Sequence, residues 1–203
     1  LLSVFRDVSG FSKSVDVVVF VVFFFSRRRR ESKFALVLVA RRCVKETSLE
    51  DDPGRELDYN GIYRLSPDGE IQLLERNQTR PNGIAFSADE QTLYVANSDA
   101  NNKVWYAYSV LHGIIGNPRV FYDVNDQTAT GAADGMKVDV NGNIFATGPG
   151  GVWVFDTEGT HLGTIKPDEV PANVAWGDDG STLYMTARTG LYRVRLNTSG
   201  EIP

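Results

Sequence analysis

The sequence predicts an all-β protein. From about residue 52 onward, short runs of about four to eight residues alternate between apolar and polar side chains, as in antiparallel strands. Tight-turn signals separate these runs, and no stretch shows a sustained helical period. The turn signals are Ser66-Pro67-Asp68-Gly69, Asn141-Gly142, Thr157-Glu158-Gly159, Asp178-Asp179-Gly180 and Ser199-Gly200.

The composition is that of an ordinary folded chain and excludes one class of partner. Of the 203 residues, 42% are hydrophobic and 23% are charged, which is typical of a globular domain. Acidic residues outnumber basic ones 26 to 21, for a formal charge of −5. Because nonspecific binding to phosphate backbones needs a basic surface, we expect no nucleic-acid partner.

Cysteine and histidine are too scarce to build a soft-metal site. Cys43 is the only cysteine, and His112 and His161 are far apart in the sequence. No intrachain disulfide or Cys-based zinc site can form, so a bound metal would need mostly oxygen ligands. A single unpaired cysteine is compatible with the cytoplasm, which is the compartment we expect.

The first fifty residues differ in kind from the rest. Residues 17–25 are nine Val and Phe residues, and four arginines follow at 27–30. Nine apolar residues are too few to span a bilayer, which takes about 20, and no membrane partner is predicted. The charge also follows the apolar run, whereas in a signal peptide it precedes it. The segment is either a buried strand or a stretch foreign to the native fold at the start of a truncated gene product. We favour the second interpretation, with 1–50 an atypical segment and 51–203 the folded domain.

An internal repeat organises residues 51–203. One kind of hairpin starts with a small or polar residue and occurs at 81–87 with 92–96, 133–139 with 143–147, and 171–177 with 182–186. A second kind alternates with it, at 61–65 with 71–74 and 151–155 with 161–165, and residues 103–108 and 190–196 open two more.

Two alternating hairpins give four strands per unit, which is typical of β-propeller blades. A stand-alone sandwich is the main alternative, but it does not predict the alternation. About three blades fit the repeat, whereas closed propellers have about four to eight. The sequence therefore predicts an incomplete propeller.

Three blocks of the repeat carry a family resemblance. They are Arg80-Pro81-Asn82-Gly83-Ile84-Ala85-Phe86-Ser87, Ala133-Asp134-Gly135-Met136-Lys137-Val138-Asp139, and Pro171-Ala172-Asn173-Val174-Ala175-Trp176-Gly177. In this order they resemble the gluconolactonase and regucalcin (senescence marker protein) family of sugar lactonases. The segment at 56–65 is similar to the bacterial gluconolactonase branch.

The resemblance implies a six-bladed propeller with one divalent cation, calcium or zinc, at its central tunnel. Its ligands would be an early Glu, the Asn of the first block and the Asp of the second, which makes Asn82 and Asp134 metal ligands here. Amide and carboxylate oxygens suit Ca²⁺. The early Glu belongs to a Glu-Gly-Pro block that this sequence lacks, together with an upstream Arg/Asn block for substrate. Neither Glu50 nor Glu56 has matching surroundings.

The implied reaction is hydrolysis of a small-molecule sugar lactone. A cation would polarise the carbonyl and lower the pKa of a water molecule, and Asp134 would also serve as general base. The missing Glu predicts an impaired site. Two alternatives stay open: a non-catalytic propeller fragment that binds a small molecule or partner, and a hydrolase of other esters or organophosphates. The sequence contains no Gly-x-Ser-x-Gly motif, so serine hydrolase chemistry is not expected.

Other polar and aromatic residues are given structural roles. Asn173 is one place out of register with Asn82, so a structural or tunnel-lining role is expected. Asn97 and Asp99 follow a strand end, where they would either line the mouth of the tunnel or be solvated loop residues, and we favour the second. Both histidines should lie on outer hairpins or loops. The aromatic residues predicted to pack between blades are Trp105, Trp153, Trp176 and the strand-centre tyrosines.

Overall fold

The computed structural model describes residues 59–65 and 69–200, together with the backbone of two earlier strands. These residues form strands and turns, which confirms the all-β class. The strands are β1 (Val18–Val21), β2 (Leu36–Arg41), β3 (Gly61–Leu65), β4 (Ile71–Glu75), β5 (Pro81–Phe86), β6 (Thr92–Asp99), β7 (Asn102–Leu111), β8 (Ile114–Asp123), β9 (Met136–Val138), β10 (Ile144–Gly148), β11 (Gly151–Phe155), β12 (His161–Ile165), β13 (Pro171–Gly177), β14 (Thr182–Ala187) and β15 (Leu191–Arg195).

The strands form antiparallel sheets in which chain neighbours pair in order. Leu1–Thr79 and Arg80–Pro203 are two compact units. The first contains the sheet β1-β2-β3-β4, and the second contains β5-β6-β7-β8, β9-β10-β11-β12 and β13-β14-β15. Such up-and-down sheets are propeller blades, so the predicted fold class is confirmed.

The N-terminal segment contributes two strands to the first unit. β2 pairs with β3, from Leu36 opposite Leu65 to Ala40 opposite Gly61, and β1 pairs with β2. That residues 1–50 are foreign to the native fold stays a prediction. The residues Arg27 to Arg30, Cys43, Glu50 and Glu56 lie outside the described residues.

The three sheets of the second unit pack face to face through apolar side chains. Between the sheets β5–β8 and β9–β12, the Trp105 and Phe155 rings meet edge to face with centroids 5.3 Å apart. Between β9–β12 and β13–β15, Phe145 and Trp176 meet in the same way at 5.0 Å. Trp153 lies in the first of these cores, so all three tryptophans pack between blades as predicted.

The turn between β9 and β10 is tied to the end of the chain by Asp139, which is only 2% exposed. The carboxylate accepts hydrogen bonds from the backbone and side-chain nitrogens of Asn143, at 2.8 and 2.9 Å, and from Asn141 N at 2.9 Å. It also accepts one from Thr198 Oγ1 at 2.7 Å. Asp139 and Gly200 form an isolated antiparallel bridge, so this buried acid joins the last two sheets.

Within the described residues, no helix is long and apolar enough to cross a membrane.

Candidate functional site

Equivalent positions in the three sheets of the second unit are defined by strand pairing. In each first ladder, one apolar residue of the first strand marks the same place: Ile84 pairs with Val95, Met136 with Ala146 and Val174 with Met185. Two residues before these positions stand Asn82, Asp134 and Ala172. Asn82 and Asp134 are therefore equivalent, and Asn173 aligns with Gly83, in the register predicted from the sequence.

The position of Asn82 and the equivalent position of Ala172 coincide with irregularities in the ladders. β5 has one extra residue between Pro81 and Ile84, and β13 has one between Pro171 and Asn173, relative to their partner strands. An extra residue of this kind turns a side chain away from the regular alternation of the strand. The sheets thus change direction where Asn82 and Ala172 stand.

In the sheet β9–β12, the backbone of Thr147 forms hydrogen bonds with two successive residues, Asp134 and Gly135. Its carbonyl oxygen accepts a hydrogen bond from Asp134 N at 3.1 Å, and its amide donates to Gly135 O at 2.9 Å. The fully buried Thr147 hydroxyl also lies 3.1 Å from the carbonyl oxygens of Gly135 and Ala172. Asp134, just before β9, is thereby tied to β10 by a main-chain hydrogen bond.

Glycine allows the first strands to approach one another closely. A Cβ atom on Gly83 would lie 2.0 Å from Asp134 O, and one on Gly135 would lie 2.8 Å from the Cα atom of Asn173. The Gly135 amide also donates to Ala172 O at 3.1 Å. Since Gly83 directly follows Asn82, the close approach of Gly83 to Asp134 O brings the backbone of Asn82 near that of Asp134.

The Asn82 carboxamide is fixed by a short chain of hydrogen bonds. Asn82 Nδ2 donates to Ser98 Oγ at 2.8 Å, and Ser98 Oγ donates to Ala133 O at 2.5 Å. Asn82 and Asp134 are both partly buried. The serine, from the end of β6, therefore connects one candidate ligand to the residue that precedes the other.

Lys137 is a charged residue near this site that the sequence did not single out. It follows Asp134 by three positions, on β9, and its Nζ donates to Met136 O at 3.1 Å. Burial lowers the pKa of its ammonium group from the ordinary value of 10.5, because the charged form loses hydration.

The prediction that Asn97 is a solvated loop residue is wrong. Asn97 lies within β6 with no exposed surface; its Oδ1 accepts a hydrogen bond from Arg80 N at 2.7 Å, and its Nδ2 donates to Asn102 O at 2.8 Å. A buried amide is stable only when such bonds are made. Asp99, at the end of β6, accepts one from Asn101 N at 2.9 Å.

The two histidines lie as expected, and the structural or tunnel-lining role of Asn173 stays a prediction. Asn173 Oδ1 accepts a hydrogen bond from Val174 N at 2.8 Å, so this side chain shapes the entry of β13. His112 lies in the turn between β7 and β8, and His161 begins β12, the outer strand of its sheet.

The donor types of the site fit a hard divalent cation. Asn82 offers an amide oxygen and Asp134 a carboxylate, the ligands that Ca²⁺ takes, and Zn²⁺ also accepts carboxylate oxygen. Among residues 59–65 and 69–200, no group of three or more His, Cys, Asp or Glu side chains is placed to hold a metal. That Asn82 and Asp134 hold a metal ion stays a prediction.

Antiparallel sheets with the strand order of propeller blades define the fold class of this protein. Residues 45–189 match the family model described as the SMP-30/Gluconolactonase/LRE-like region. The chain belongs to this family, as the three sequence blocks predicted.

Curated relatives carry lactonase names. A gluconolactonase from Zymomonas mobilis is 40% identical over 162 residues, which are 76% of this chain and 45% of that protein. A pentonolactonase from Haloferax volcanii is 34% identical over 133 residues, 64% of this chain and 45% of that protein. The chain spans about half the length of the curated relatives that it matches.

Solved structures show the same fold. A gluconolactonase from Xanthomonas campestris superposes with a TM-score of 0.70 at 30% identity, over 81% of this chain and 54% of that one. Regucalcin from Agrobacterium tumefaciens, described as a calcium-binding protein, superposes with a TM-score of 0.64 at 21% identity, over 82% and 59% of the two chains. The second likeness concerns the fold alone.

Proposed function

We propose that the chain hydrolyses a sugar lactone with the help of a divalent cation, Ca²⁺ or Zn²⁺, held by Asn82 and Asp134. The observation that carries this proposal is the equivalence of these two residues at neighbouring strand entries, where the Gly83 contact brings their backbones together. The lactonase names of relatives at 40% and 34% identity support the choice of substrate class.

The proposed reaction needs no covalent intermediate. A cation bound at the site would polarise the lactone carbonyl and acidify a water molecule. Asp134 accepts the proton of the attacking water as the water oxygen bonds to the carbonyl carbon. The ring carbon–oxygen bond then breaks, the ring oxygen takes a proton, and the product is the open-chain hydroxy acid.

A second candidate function is binding of a small molecule without catalysis. The observation that favours it is that the described residues supply two ligands, while the sequence lacks the Glu-Gly-Pro block of the family. A pair of ligands completed by water holds a hard cation more weakly than a fuller set does. Such a site would bind sugar oxygens without hydrolysing the lactone.

Calorimetric titration with Ca²⁺ and with Zn²⁺ tests the site. We expect the wild-type chain to bind one of the two ions and Asp134→Ala to bind it at least about tenfold more weakly, because a charged ligand is removed. Asp156→Ala is the matched control, since Asp156 lies in the turn after β11 on an outer hairpin. Equal binding by the wild type and Asp134→Ala would overturn the assignment.

Hydrolysis of gluconolactone, with and without a chelator, separates the two candidate functions. Enzyme function predicts hydrolysis by the wild-type chain that the chelator and Asp134→Ala both abolish. Cation binding without hydrolysis above the spontaneous rate would favour the binding function.

A further inference from the structure

Ser98 is the residue through which β6 contacts Asn82 and Ala133, the residue that precedes Asp134. Its hydroxyl oxygen accepts the hydrogen bond from Asn82 Nδ2 at 2.8 Å and donates its proton to Ala133 O at 2.5 Å. Ala133 is fully buried, and Ser98 is partly buried. The two partners come from 16 and 35 residues away in the chain.

The direction of these bonds determines which end of the Asn82 carboxamide faces Ser98. A hydroxyl has a single proton to donate, and here it forms the hydrogen bond to Ala133 O. The hydroxyl oxygen can therefore only accept, so it selects the NH₂ group of Asn82. If the carboxamide were rotated by half a turn, Oδ1 and Oγ would face each other as two acceptors, which is unfavourable.

We infer that Ser98 is a positioning residue that orients Asn82 Oδ1, rather than its NH₂ group, toward the cation. This inference rests on the proposed function. An amide nitrogen bears two protons and no free electron pair for a metal, so a rotated carboxamide repels the ion that the oxygen binds. Groups that orient metal ligands typically affect affinity by about 10–100-fold.

The first test is calorimetric titration of the full chain with Ca²⁺ and Zn²⁺. We expect Ser98→Ala to weaken binding about tenfold or more, because both orientations of Asn82 become accessible. Ser98→Thr keeps the hydroxyl and is expected to bind within about threefold of the wild type. Thermal unfolding in the presence of chelator reports the stability of each variant without the ion, so that a loss of fold is distinguished from a loss of orientation.

The second test is a double-mutant cycle with Asn82→Asp. A carboxylate presents oxygen in either orientation, so Ser98→Ala should change affinity by less than about twofold in the Asn82→Asp background. An effect of Ser98→Ala that is equally large in both backgrounds would contradict a role in orientation and overturn the inference.

The outcomes separate this inference from the proposed function. If the wild-type chain binds neither ion, the proposed function fails and the inference fails with it. If it binds an ion and loses it in Asp134→Ala but not in Ser98→Ala, the proposed function survives and only the role of Ser98 is refuted.

Discussion

Gly83 stands where any side chain would clash with the backbone of the segment that leads into β9. A Cβ atom there would stand 2.0 Å from the carbonyl oxygen of Asp134 and 2.6 Å from its carbonyl carbon. Main-chain atoms cannot rotate away as a flexible side chain does, so the two strands would have to separate. The glycine after Asn82 thus sets the spacing between the candidate ligands.

Gly83→Ala is expected to lower the free energy of unfolding by about 1–3 kcal/mol, the usual cost of overpacking, and to weaken cation binding. Urea unfolding measures the first effect and calorimetry the second. Gly163→Ala in β12 is the matched control, because a Cβ there meets nothing within 4 Å. Equal losses in the two variants would mean that the close approach at Gly83 is not what matters.

Lys137 predicts a pH dependence of stability. Because burial lowers its pKa below 10.5 in the folded state, the unfolded chain binds this proton more tightly. Stability from this group therefore increases as the pH rises from the lowered pKa toward the ordinary one. Lys137→Met is expected to raise the free energy of unfolding at about pH 7, with a gain that shrinks toward about pH 10. Urea unfolding at several pH values measures it, and a gain independent of pH would contradict a cost of burying the charge.

The sequence was informative about the candidate ligands and silent about the residues that hold them. Asn82 and Asp134 stand in blocks whose wording carries the family resemblance. Ser98 and Asn97 look like ordinary polar residues in the sequence, although both lie within β6, and their hydrogen-bond partners include residues 16, 17 and 35 positions away. Such partners are brought together only by strand pairing, so no local sequence pattern predicts these hydrogen bonds.

At the level of the elements, turn chemistry was a reliable guide because it is local. The predicted hairpin at 151–155 with 161–165 has the bounds of β11 and β12. β8 was not predicted, because Gly116, Asn117 and Pro118 interrupt its pattern. It is the outer strand of its sheet, and a strand with one unpaired edge tolerates proline and irregular register.

The β9–β10 turn depends on Asp139 more than the corresponding turn of an outer hairpin depends on its acid. Asp139→Ala is expected to lower the free energy of unfolding by about 3 kcal/mol, because the partly buried donors of Asn143 and Thr198 lose a charged, buried acceptor. Asp156→Ala is the control: its carboxylate accepts bonds from Glu158 N and Thr160 N, but it is only partly buried. Chemical denaturation compares them, and a larger loss for Asp156→Ala would contradict this ranking.

In the unit formed by residues 80–203, the last sheet is fastened by its own C-terminal segment. Ser199 O accepts a hydrogen bond from Val140 N at 2.9 Å, and Gly200 N donates to Gly180 O at 3.0 Å. The Gly200 backbone also lies against the Trp176 ring, where a Cβ atom would approach Cδ1 to 1.8 Å. The end of the described chain is therefore part of the packing between two blades.

A chain that ends at Asn197 is expected to melt at least about 4 °C below the full chain, which corresponds to a loss of about 1 kcal/mol in a domain of this size. The Trp176 ring should become more accessible to solvent, because the segment that lies on it is gone, and its fluorescence should be quenched more readily by a soluble quencher. A chain that ends at Gly200 keeps these contacts and is the control. Identical melting of the two truncated chains would show that the segment does not fasten the sheets.

The extra residues in β5 and β13 and the paired bonds at Thr147 have a consequence for how such a protein can diversify. Because main-chain pairing dictates where Asn82 and Asp134 stand, the exposed positions 126 and 128 of the connection before β9 can change composition without displacing them. Under the proposed function, recognition of the lactone and retention of the ion can then evolve as separate traits. A gluconolactonase and a pentonolactonase among the relatives are the kind of divergence that this separation permits.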